Sequence, residues 1–168
     1  MPPKQVKQSK KKPQIGSPPA QQSLARNKRA TSNYEIIDKK EAGIVLTGGE
    51  VKSVRYGHVS IREAYARFIK DELYLVGAHI PPYQPNQKLL EKYVPTRMRK
   101  LLLHKSEINR LYGKSSERGL TLVPLEIYIK KNRVKILLGI GRGRKKYEKK
   151  EEIKKREDTR RLQRAFKQ

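Results

Sequence analysis

Residues 120–140 decide the fold: LTLVPLEIYIKKNRVKILLGI. Two runs rich in β-branched and aromatic residues, Leu120–Lys130 and Arg133–Ile140, flank the dipeptide Lys131-Asn132. A two-residue connection between two such runs is typical of a β-hairpin. The stretch therefore predicts two long antiparallel strands joined by a tight turn.

The residues before this hairpin carry further strand and helix signals. Alternating residues predict a second hairpin, in which residues 70–72 join Glu63–Ile69 to Leu73–His79. The other elements that we expect are a strand that opens at Tyr34–Ile37 and resumes at Gly43–Leu46 after a break at Glu41-Ala42, a short helix over Glu50–Arg55, a loop over 81–96 and a helix over Arg97–Tyr112. This pattern predicts a mainly β fold, a small OB-like barrel with two or three short flanking helices and disordered basic tails.

The charge of the chain indicates a polyanionic partner. Its 168 residues include 41 Lys or Arg and 16 Asp or Glu, which gives a net charge of +25. Residues 1–33 hold 8 basic and no acidic groups, and residues 142–168 hold 13 basic and 5 acidic groups. We therefore expect three parts: a disordered basic extension over 1–25, an OB-like barrel over 26–141, and a basic tail over 142–168 that becomes helical on a polyanion.

The sequence lacks the signals of several protein classes. No apolar run approaches the ~18–20 residues that cross a bilayer, and no apolar secretory signal opens the chain, so we expect a cytoplasmic protein with no membrane partner. The absence of cysteine excludes disulfides, thiolate nucleophiles and Cys-type zinc sites. The three His residues show no metal-ligand spacing. We therefore expect no catalytic residue, no metal, no cofactor and no small-molecule substrate.

Three glycines near the end of the second long strand form a G-x-G-x-G pattern, Gly139, Gly141 and Gly143. Basic residues follow this pattern instead of an apolar helix, and no βαβ unit lies downstream, which argues against a nucleotide-binding loop. We expect these glycines to end the strand and to free the tail.

Basic residues interleaved with aromatic residues indicate nucleic-acid binding. Lys28 and Arg29 precede the first expected strand, and Arg97, Arg99 and Lys100 form a cluster at the start of the expected helix. Tyrosines lie close to several cations in the sequence, and this combination suits phosphate contact together with base stacking. The composition favours an RNA- or DNA-binding module, and the barrel favours RNA.

Several longer motifs carry more information than composition. In chain order they are NKRA at 27–30, Tyr34, EAGIVL at 41–46, GEVKSVR at 49–55, TRMRKLLL at 96–103, EINRLYG at 107–113, GLTLVPL at 119–125 and RVK at 133–135. Together they resemble the family of small protein B, the tmRNA-binding (SsrA-binding) proteins. The resemblance implies an OB-like barrel that binds the tRNA-like part of tmRNA and delivers it to stalled ribosomes. There, in trans-translation, the ribosome is released and its product is tagged; family members are not enzymes.

The resemblance also implies where RNA binds. The family's tmRNA-contacting positions correspond to Asn27, Glu41, the segment around Leu102, and Lys135. With the basic clusters and the other motif residues, the expected RNA-binding set is Asn27, Lys28, Arg29, Tyr34, Glu41, Lys52, Arg55, Arg97, Arg99, Lys100, Leu102 and Lys135. Two members have an ordinary structural alternative, since Glu41 would also serve as a local salt-bridge partner and Leu102 as a core residue of a helix.

The family's C-terminal tail follows the message channel and occupies the decoding region of the ribosome, against ribosomal RNA. The corresponding residues here are Arg142, Arg144, Lys145, Tyr147, Glu148, Lys149 and Lys150. Glu148 and Lys150 replace the family's usual Asp and Arg, so the charge signs are kept but the bidentate guanidinium at position 150 is lost.

Two other functions stay open at this point. The same basic tails would serve a ribosomal or ribosome-assembly protein that binds ribosomal RNA as a structural component, which is the main alternative. An RNA-modifying enzyme comes third, because the sequence offers no nucleophile, metal-ligand set or cofactor loop.

Overall fold

A computed structural model describes residues 22–83, 92–117 and 119–165. The strands of this part of the chain are β1 Gln22–Arg26, β2 Tyr34–Ile44, β3 Tyr65–Ile69, β4 Glu72–Val76, β5 Arg99–Leu102, β6 Leu120–Lys130 and β7 Arg133–Gly143. The helices are α1 Lys28–Asn33, α2 Gly48–Arg55, α3 Lys105–Ser115 and α4 Lys146–Ala165. None of these helices is long and apolar enough to span a bilayer.

Six of the strands close into a barrel, and every pairing is antiparallel. Strand β2 pairs with both β5 and β7, and the ring continues from β7 through β6, β3 and β4 back to β5. Strand β1 lies outside the ring and pairs with β6. Closure removes the open sheet edges that would otherwise invite aggregation. The prediction of a mainly β fold with a small barrel is confirmed.

Both predicted hairpins are confirmed. Strands β6 and β7 pair from Leu120 opposite Arg142 to Lys130 opposite Arg133. The two turn residues between them, Lys131 and Asn132, have φ angles of 48° and 60°. Positive φ at both central positions is the geometry that matches the twist of a two-residue hairpin. Residues 70 and 71 form the same kind of turn between β3 and β4, so residue 72 belongs to the strand rather than to the turn.

The barrel interior is filled by aliphatic side chains from every strand of the ring. Fully buried members include Leu73, Leu75, Leu101, Ile136 and Leu138. Helices α2 and α3 add Val54 and Leu111 to this core. A second apolar cluster, formed by Ala30, Val123 and Leu125, lies beneath α1.

The predicted helix over Arg97–Tyr112 is wrong in its first half. Residues Arg99–Leu102 form β5, which pairs with β4 and β2 and so completes the ring. The side chains alternate as a strand requires, because Leu101 is buried and Leu102 is 52% exposed. The apolar residues whose spacing suggested one helix belong partly to strand β5 and partly to helix α3, which begins at Lys105.

The predicted break in the first long strand is also wrong. Strand β2 runs through Glu41-Ala42, and Ala42 is buried in the core. Gly139 and Gly141 do not end a strand either, since both lie within β7, and the strand ends only at Gly143. A Cβ on Gly141 would lie 2.9 Å from the Cβ of Tyr34, so glycine is needed there for the close approach of β2.

The ends of the barrel differ from the predicted boundaries. Residues Gln22–Ala25, expected within a disordered extension, belong to β1; residues 1–21 lie outside the described residues. At the other end Arg142 still pairs with Glu35, and the backbone N–H of Arg144 donates to the carbonyl of Asn33. Helix α4 starts two residues later. Residues Lys146–Ala165 of the tail, expected to be disordered until they bind a polyanion, form this helix. The dependence of the helix on a polyanion stays a prediction.

Candidate nucleic-acid interface

A groove of about 930 Å³ opens beside β2, between α2, the start of α3 and the β6–β7 turn. We call it the β2 groove. Basic side chains outnumber acidic ones along it: Lys39, Lys40, Arg55, Arg133 and Lys135 against Glu41 and Glu107. Four of the predicted RNA-binding residues meet here: Glu41, Arg55, Leu102 and Lys135. These four lie up to 94 positions apart in the sequence, and barrel closure brings them together.

Glu41 is the acidic member of an ion cluster on this surface. One of its carboxylate oxygens accepts hydrogen bonds from the Tyr128 hydroxyl and, at 2.8 Å, from Lys130 Nζ. The other oxygen lies 3.8 Å from Lys135 Nζ. The salt-bridge alternative for Glu41 is therefore present in the structure, with two lysines as its partners.

The cluster keeps Glu41 ionised. The hydrogen bonds from Lys130 and Tyr128 lower the pKa of the Glu41 carboxyl below its usual range. Burial and the hydrogen bond to this carboxylate raise the pKa of Tyr128 above its usual value. The site thus presents one fixed negative charge between two ammonium groups at neutral pH.

Glycine keeps the floor of the β2 groove open between Leu102 and Lys135. In the strand register Gly43 of β2 lies opposite Leu102 of β5 on one side and Lys135 of β7 on the other. A Cβ on Gly43 would lie 3.2 Å from the Cβ of Leu102. Leu102 is half exposed, so the alternative of a core residue is wrong. Leu102 and Lys135 therefore place an apolar side chain and a cation on opposite sides of the groove floor at Gly43.

Helix α2 borders the β2 groove with basic side chains. The Arg55 guanidinium donates to the Asn132 carbonyl at 3.1 Å and to its Oδ1 at 2.9 Å, which ties the helix to the β6–β7 turn. Lys52, three residues earlier, is exposed and lies outside the groove lining.

Asn27 does not present its side chain to a ligand. It is 4% exposed, its Oδ1 accepts the Ala30 N–H at 3.0 Å as the cap of α1, and its Nδ2 donates to the Ile61 carbonyl at 2.8 Å. Its predicted RNA contact is corrected to a structural role, because burial and two hydrogen bonds use the amide. Lys28 and Arg29 beside it are exposed on α1.

Tyr34 is half buried, and it packs against the second apolar cluster beneath α1. It lies with α1 rather than in the β2 groove. The predicted RNA-binding residues therefore fall on more than one part of the barrel.

Arg97, Arg99 and Lys100 do not form the single basic cluster that the sequence predicts. Arg99 is fully buried, and its guanidinium donates to the Glu50 carboxylate at 2.8 and 3.0 Å and to backbone carbonyls. Arg97 also binds Glu50, whereas Lys100 pairs with Glu72 on the outer face. An RNA contact by Arg99 is wrong, since every side of its guanidinium faces protein.

Glu50 anchors this buried cluster. It is 1% exposed, and it also accepts the backbone N–H of Thr47 at 2.9 Å in the capping box of α2. Burial alone would raise the pKa of Glu50, but the bonds from Arg97, Thr47 and Arg99 outweigh it and lower the pKa to about 2. The cluster joins α2 to β5 and so shapes one wall beside the β2 groove.

The predicted tail residues begin at the C-terminal end of strand β7. Arg142, Lys145 and Lys150 are exposed, and Glu148 accepts the backbone N–H of Lys145 at 2.8 Å in the first turn of α4. The side chains of Tyr147 and Lys149 lie outside the described part of the chain.

Sequence reasoning missed the partners of Glu41. Tyr128 and Lys130 lie on the same face of β6, and Tyr128 is opposite Lys135 in the hairpin register. Counting back from the two-residue turn would have found this neighbourhood. Glu50 was also missed, because a carboxylate within a basic motif gives no sign of its burial. The described residues contain no group of three His, Asp or Glu side chains that could hold a metal ion.

Comparisons with known proteins identify the family. The family model described as SmpB protein matches residues 24–168. The SsrA-binding protein of Geobacillus sp. (strain WCH70) is 47% identical over 145 residues, 86% of this chain and 92% of that protein. The SsrA-binding protein of Chloroflexus aggregans (strain MD-66 / DSM 9485) is 50% identical over 144 residues, 86% of this chain and 90% of that protein.

A solved structure agrees with these relatives. It is described as "tmRNA-SmpB: a journey to the center of the bacterial ribosome", and one of its chains superposes with a TM-score of 0.61. That chain is 48% identical, and the match covers 73% of this chain and 85% of that one. The resemblance drawn from the motifs is confirmed, and this chain belongs to the SmpB family of SsrA-binding proteins.

Proposed function

We propose that this protein binds the tRNA-like part of tmRNA and delivers it to stalled ribosomes in trans-translation. The observation that carries the binding step is the β2 groove, where a cation, an exposed apolar side chain and an ionised carboxylate surround a floor kept open by Gly43. A folded RNA is bound mainly through its shape, its phosphates and its 2′-hydroxyls. In the groove, Lys135 can bind a phosphate, Glu41 can accept a hydrogen bond from a 2′-hydroxyl, and Leu102 adds apolar contact that depends on the shape of the RNA.

Lys135 is the group that neutralises a phosphate. Its ammonium lies 3.8 Å from Glu41, beyond the length of a hydrogen bond, so its three N–H donors are available to an incoming phosphate oxygen. Leu102, across Gly43, supplies apolar contact to a ribose or to the face of a base. These two contacts position the RNA by shape and charge rather than by base sequence.

Glu41 has two roles in this binding mode. It holds the ammonium groups of Lys130 and Lys135 on one side of the groove by charge. The oxygen that faces Lys135 at 3.8 Å is the less occupied of the two, so it accepts a hydrogen bond from a ribose 2′-hydroxyl. The fixed negative charge also repels phosphates that approach out of register, which adds specificity.

The tail supplies the ribosomal contact. Residues 142–168 hold 13 basic and 5 acidic groups, and α4 begins at Lys146, soon after the last paired residue of β7, Gly143. A basic helix of this kind fits a channel lined by ribosomal RNA. We assign the barrel to tmRNA and the tail, including Arg142, Arg144, Lys145 and Lys150, to the message channel of the ribosome.

Competition binding tests the first assignment. Labelled tRNA-like RNA from tmRNA is titrated with the protein at fixed salt, against equal masses of ribosomal RNA fragments and of unrelated structured RNA. We expect tmRNA to compete at concentrations at least tenfold lower than either. Equal competition by ribosomal RNA would support the alternative, a structural or assembly protein of the ribosome.

Truncation tests the second assignment. The cut belongs after Arg144, because Arg142 and Gly143 still pair with β2 and the Arg144 N–H bonds to Asn33. The truncated protein should retain its affinity for tmRNA and lose tagging on stalled ribosomes. Loss of tmRNA binding with an intact barrel, checked by circular dichroism, would contradict the division between barrel and tail.

A further inference from the structure

A stack of aromatic rings lies at the end of α2. The rings of Tyr56 and Tyr83 have centroids 5.7 Å apart and planes 11° apart, and the His58 ring lies 6.4 Å from Tyr56 at 27°. Tyr56 is 67% exposed. The function proposed above makes no use of these three rings.

Packing alone gives no reason for an aromatic residue at position 56. Tyr56 ends α2 through its backbone, with φ of −79°, a conformation open to any residue. Its ring belongs to neither apolar cluster, and its exposure leaves most of the ring surface in water. A large aromatic surface held in place by a neighbouring ring and left open to solvent is a preformed stacking platform.

A cation accompanies the stack. Lys52 lies one helical turn before Tyr56, and its Nζ stands 5.4 Å from the centroid of the Tyr83 ring. The ring attracts the ammonium and holds it beside the stack, while the N–H donors remain able to bind an anion. An aromatic face next to a cation matches one nucleotide, whose flat base and charged phosphate lie within the same short span.

The platform adjoins the β2 groove. Val51 and Arg55 of α2 line the groove, and each is followed in the sequence by a residue of the platform, Lys52 within the helix and Tyr56 at its C-cap. An RNA strand that leaves the groove over α2 therefore reaches the stack directly. A protein partner would not explain the cation or this continuity with a basic groove as well as RNA does.

We propose that Tyr56 and Tyr83, with Lys52, form a second RNA site that stacks one unpaired base and binds the phosphate beside it. This inference shares with the proposed function only the premise that the partner is RNA. The ligand class is an unpaired nucleotide in a loop or a single strand, of any base, because every base offers a stacking face.

The absence of tryptophan from the chain permits a direct test. Tyr56→Trp in the full-length protein places a single tryptophan on the platform, and its fluorescence is followed during titration with an eight-nucleotide RNA. We expect saturable quenching by the RNA and none by an abasic phosphodiester of equal length and charge. Equal quenching by the abasic strand, or no quenching by RNA, would overturn the proposal.

Affinity measurements separate the ring from its hydroxyl. Tyr56→Ala should weaken binding of the same oligonucleotide by about tenfold, the loss typical of one stacked base. Tyr56→Phe, which keeps the ring, should bind as the parent does. An alanine variant with parental affinity would contradict base stacking at this position. Circular dichroism checks that both variants are folded.

A second variant distinguishes this site from the β2 groove. Lys135→Ala, combined with Tyr56→Trp, should lose affinity for tmRNA but keep the quenching by the short RNA. If quenching disappears with Lys135, the oligonucleotide occupies the groove and the second site is refuted. If the parent protein does not bind tmRNA but the short RNA still quenches the fluorescence, the proposed function is refuted and the second RNA site is supported.

Discussion

Glu50 and Glu41 are two glutamates that each interact with two basic side chains, in opposite surroundings. Glu50 and its partner Arg99 have no exposed side-chain surface, and only Arg97 reaches solvent. Glu41, Lys130 and Lys135 have side chains that are 33%, 39% and 30% exposed. Both carboxyls have a lowered pKa. Charge pairing is thus common to the two clusters, and solvent access is the difference.

This difference decides what each cluster does. A buried carboxylate that loses its cations, or a buried guanidinium that loses its carboxylate, has no water to replace the partner. The Glu50 cluster therefore maintains the joint between α2 and β5. At the β2 groove water reaches the ions and can replace a partner, so the Glu41 cluster is free to exchange partners as the proposed RNA contact requires. Charge pairing stabilises the fold at Glu50, and at Glu41 it leaves the ions accessible for the proposed binding.

The largest expected effect comes from Glu50→Gln. The substitution keeps the shape of the side chain but leaves the buried Arg99 guanidinium without a counter-charge, so the free energy of unfolding should fall by about 3–5 kcal/mol. Urea unfolding followed by circular dichroism measures it. Asp38→Asn is the matched control, because the Asp38–Lys114 pair is exposed and should contribute less than about 1 kcal/mol. Equal losses in the two variants would mean that burial of Glu50 does not matter.

Acid should destabilise the protein through the same carboxyl. The folded pKa of Glu50, about 2, lies below its usual value of 4.5, so the charged form adds stability above pH 4.5 that is lost as the pH falls towards 2. The loss from this group should be roughly 3 kcal/mol. Unfolding in urea between pH 7 and pH 2 gives the profile. In Glu50→Gln this component should be missing, and an unchanged acid profile in that variant would contradict the assignment.

Local signals in the sequence were sufficient for the hairpins. The dipeptide at residues 131–132 located one turn between two runs rich in β-branched and aromatic residues. Alternating residues located the other hairpin, although its turn was predicted at 70–72 and positive φ is confined to residues 70 and 71. The short strand Arg99–Leu102 was mistaken for helix, because four residues give no measurable period and the true helix follows within three residues. Its strand geometry depends on pairing with β4 and β2, which are distant in the sequence.

Only part of the candidate site could be predicted from the sequence, because its residues also come together through the pairing of distant strands. Glu41, Leu102 and Lys135 entered through a family resemblance, and the register of the β6–β7 hairpin would have placed Tyr128 near Lys135. Other predicted RNA-binding residues proved to be buried. Asn27 and Arg99 have the residue types of RNA contacts, but they are 4% and 0% exposed, and no sequence pattern distinguishes an arginine that faces a phosphate from one that faces a buried glutamate.

Removal of Lys135 probes the open cluster directly. Lys135→Ala should weaken tmRNA binding by about fivefold at physiological salt and reduce the log–log salt slope by about 0.7–0.9, the amount expected for one phosphate contact. Lys114→Ala is the matched control, since the Lys114 side chain is 33% exposed, pairs with Asp38 and lies outside the β2 groove. Filter binding at several salt concentrations measures both. Equal changes in the two variants would indicate a general charge effect rather than a contact.

The smallest expected effect is on stability, in Glu41→Gln. Two partly exposed lysines, Lys130 and Lys135, lose a counter-charge, but water reaches both of them, so the free energy of unfolding should change by less than about 1 kcal/mol. The Tyr128 hydroxyl, which is buried, keeps an acceptor in the new amide oxygen, so this hydroxyl is not left without a partner. Urea unfolding beside Glu50→Gln makes the test. A loss near that of Glu50→Gln would show that the Glu41 cluster supports the barrel as the buried one does, and that its exposure does not free it for RNA.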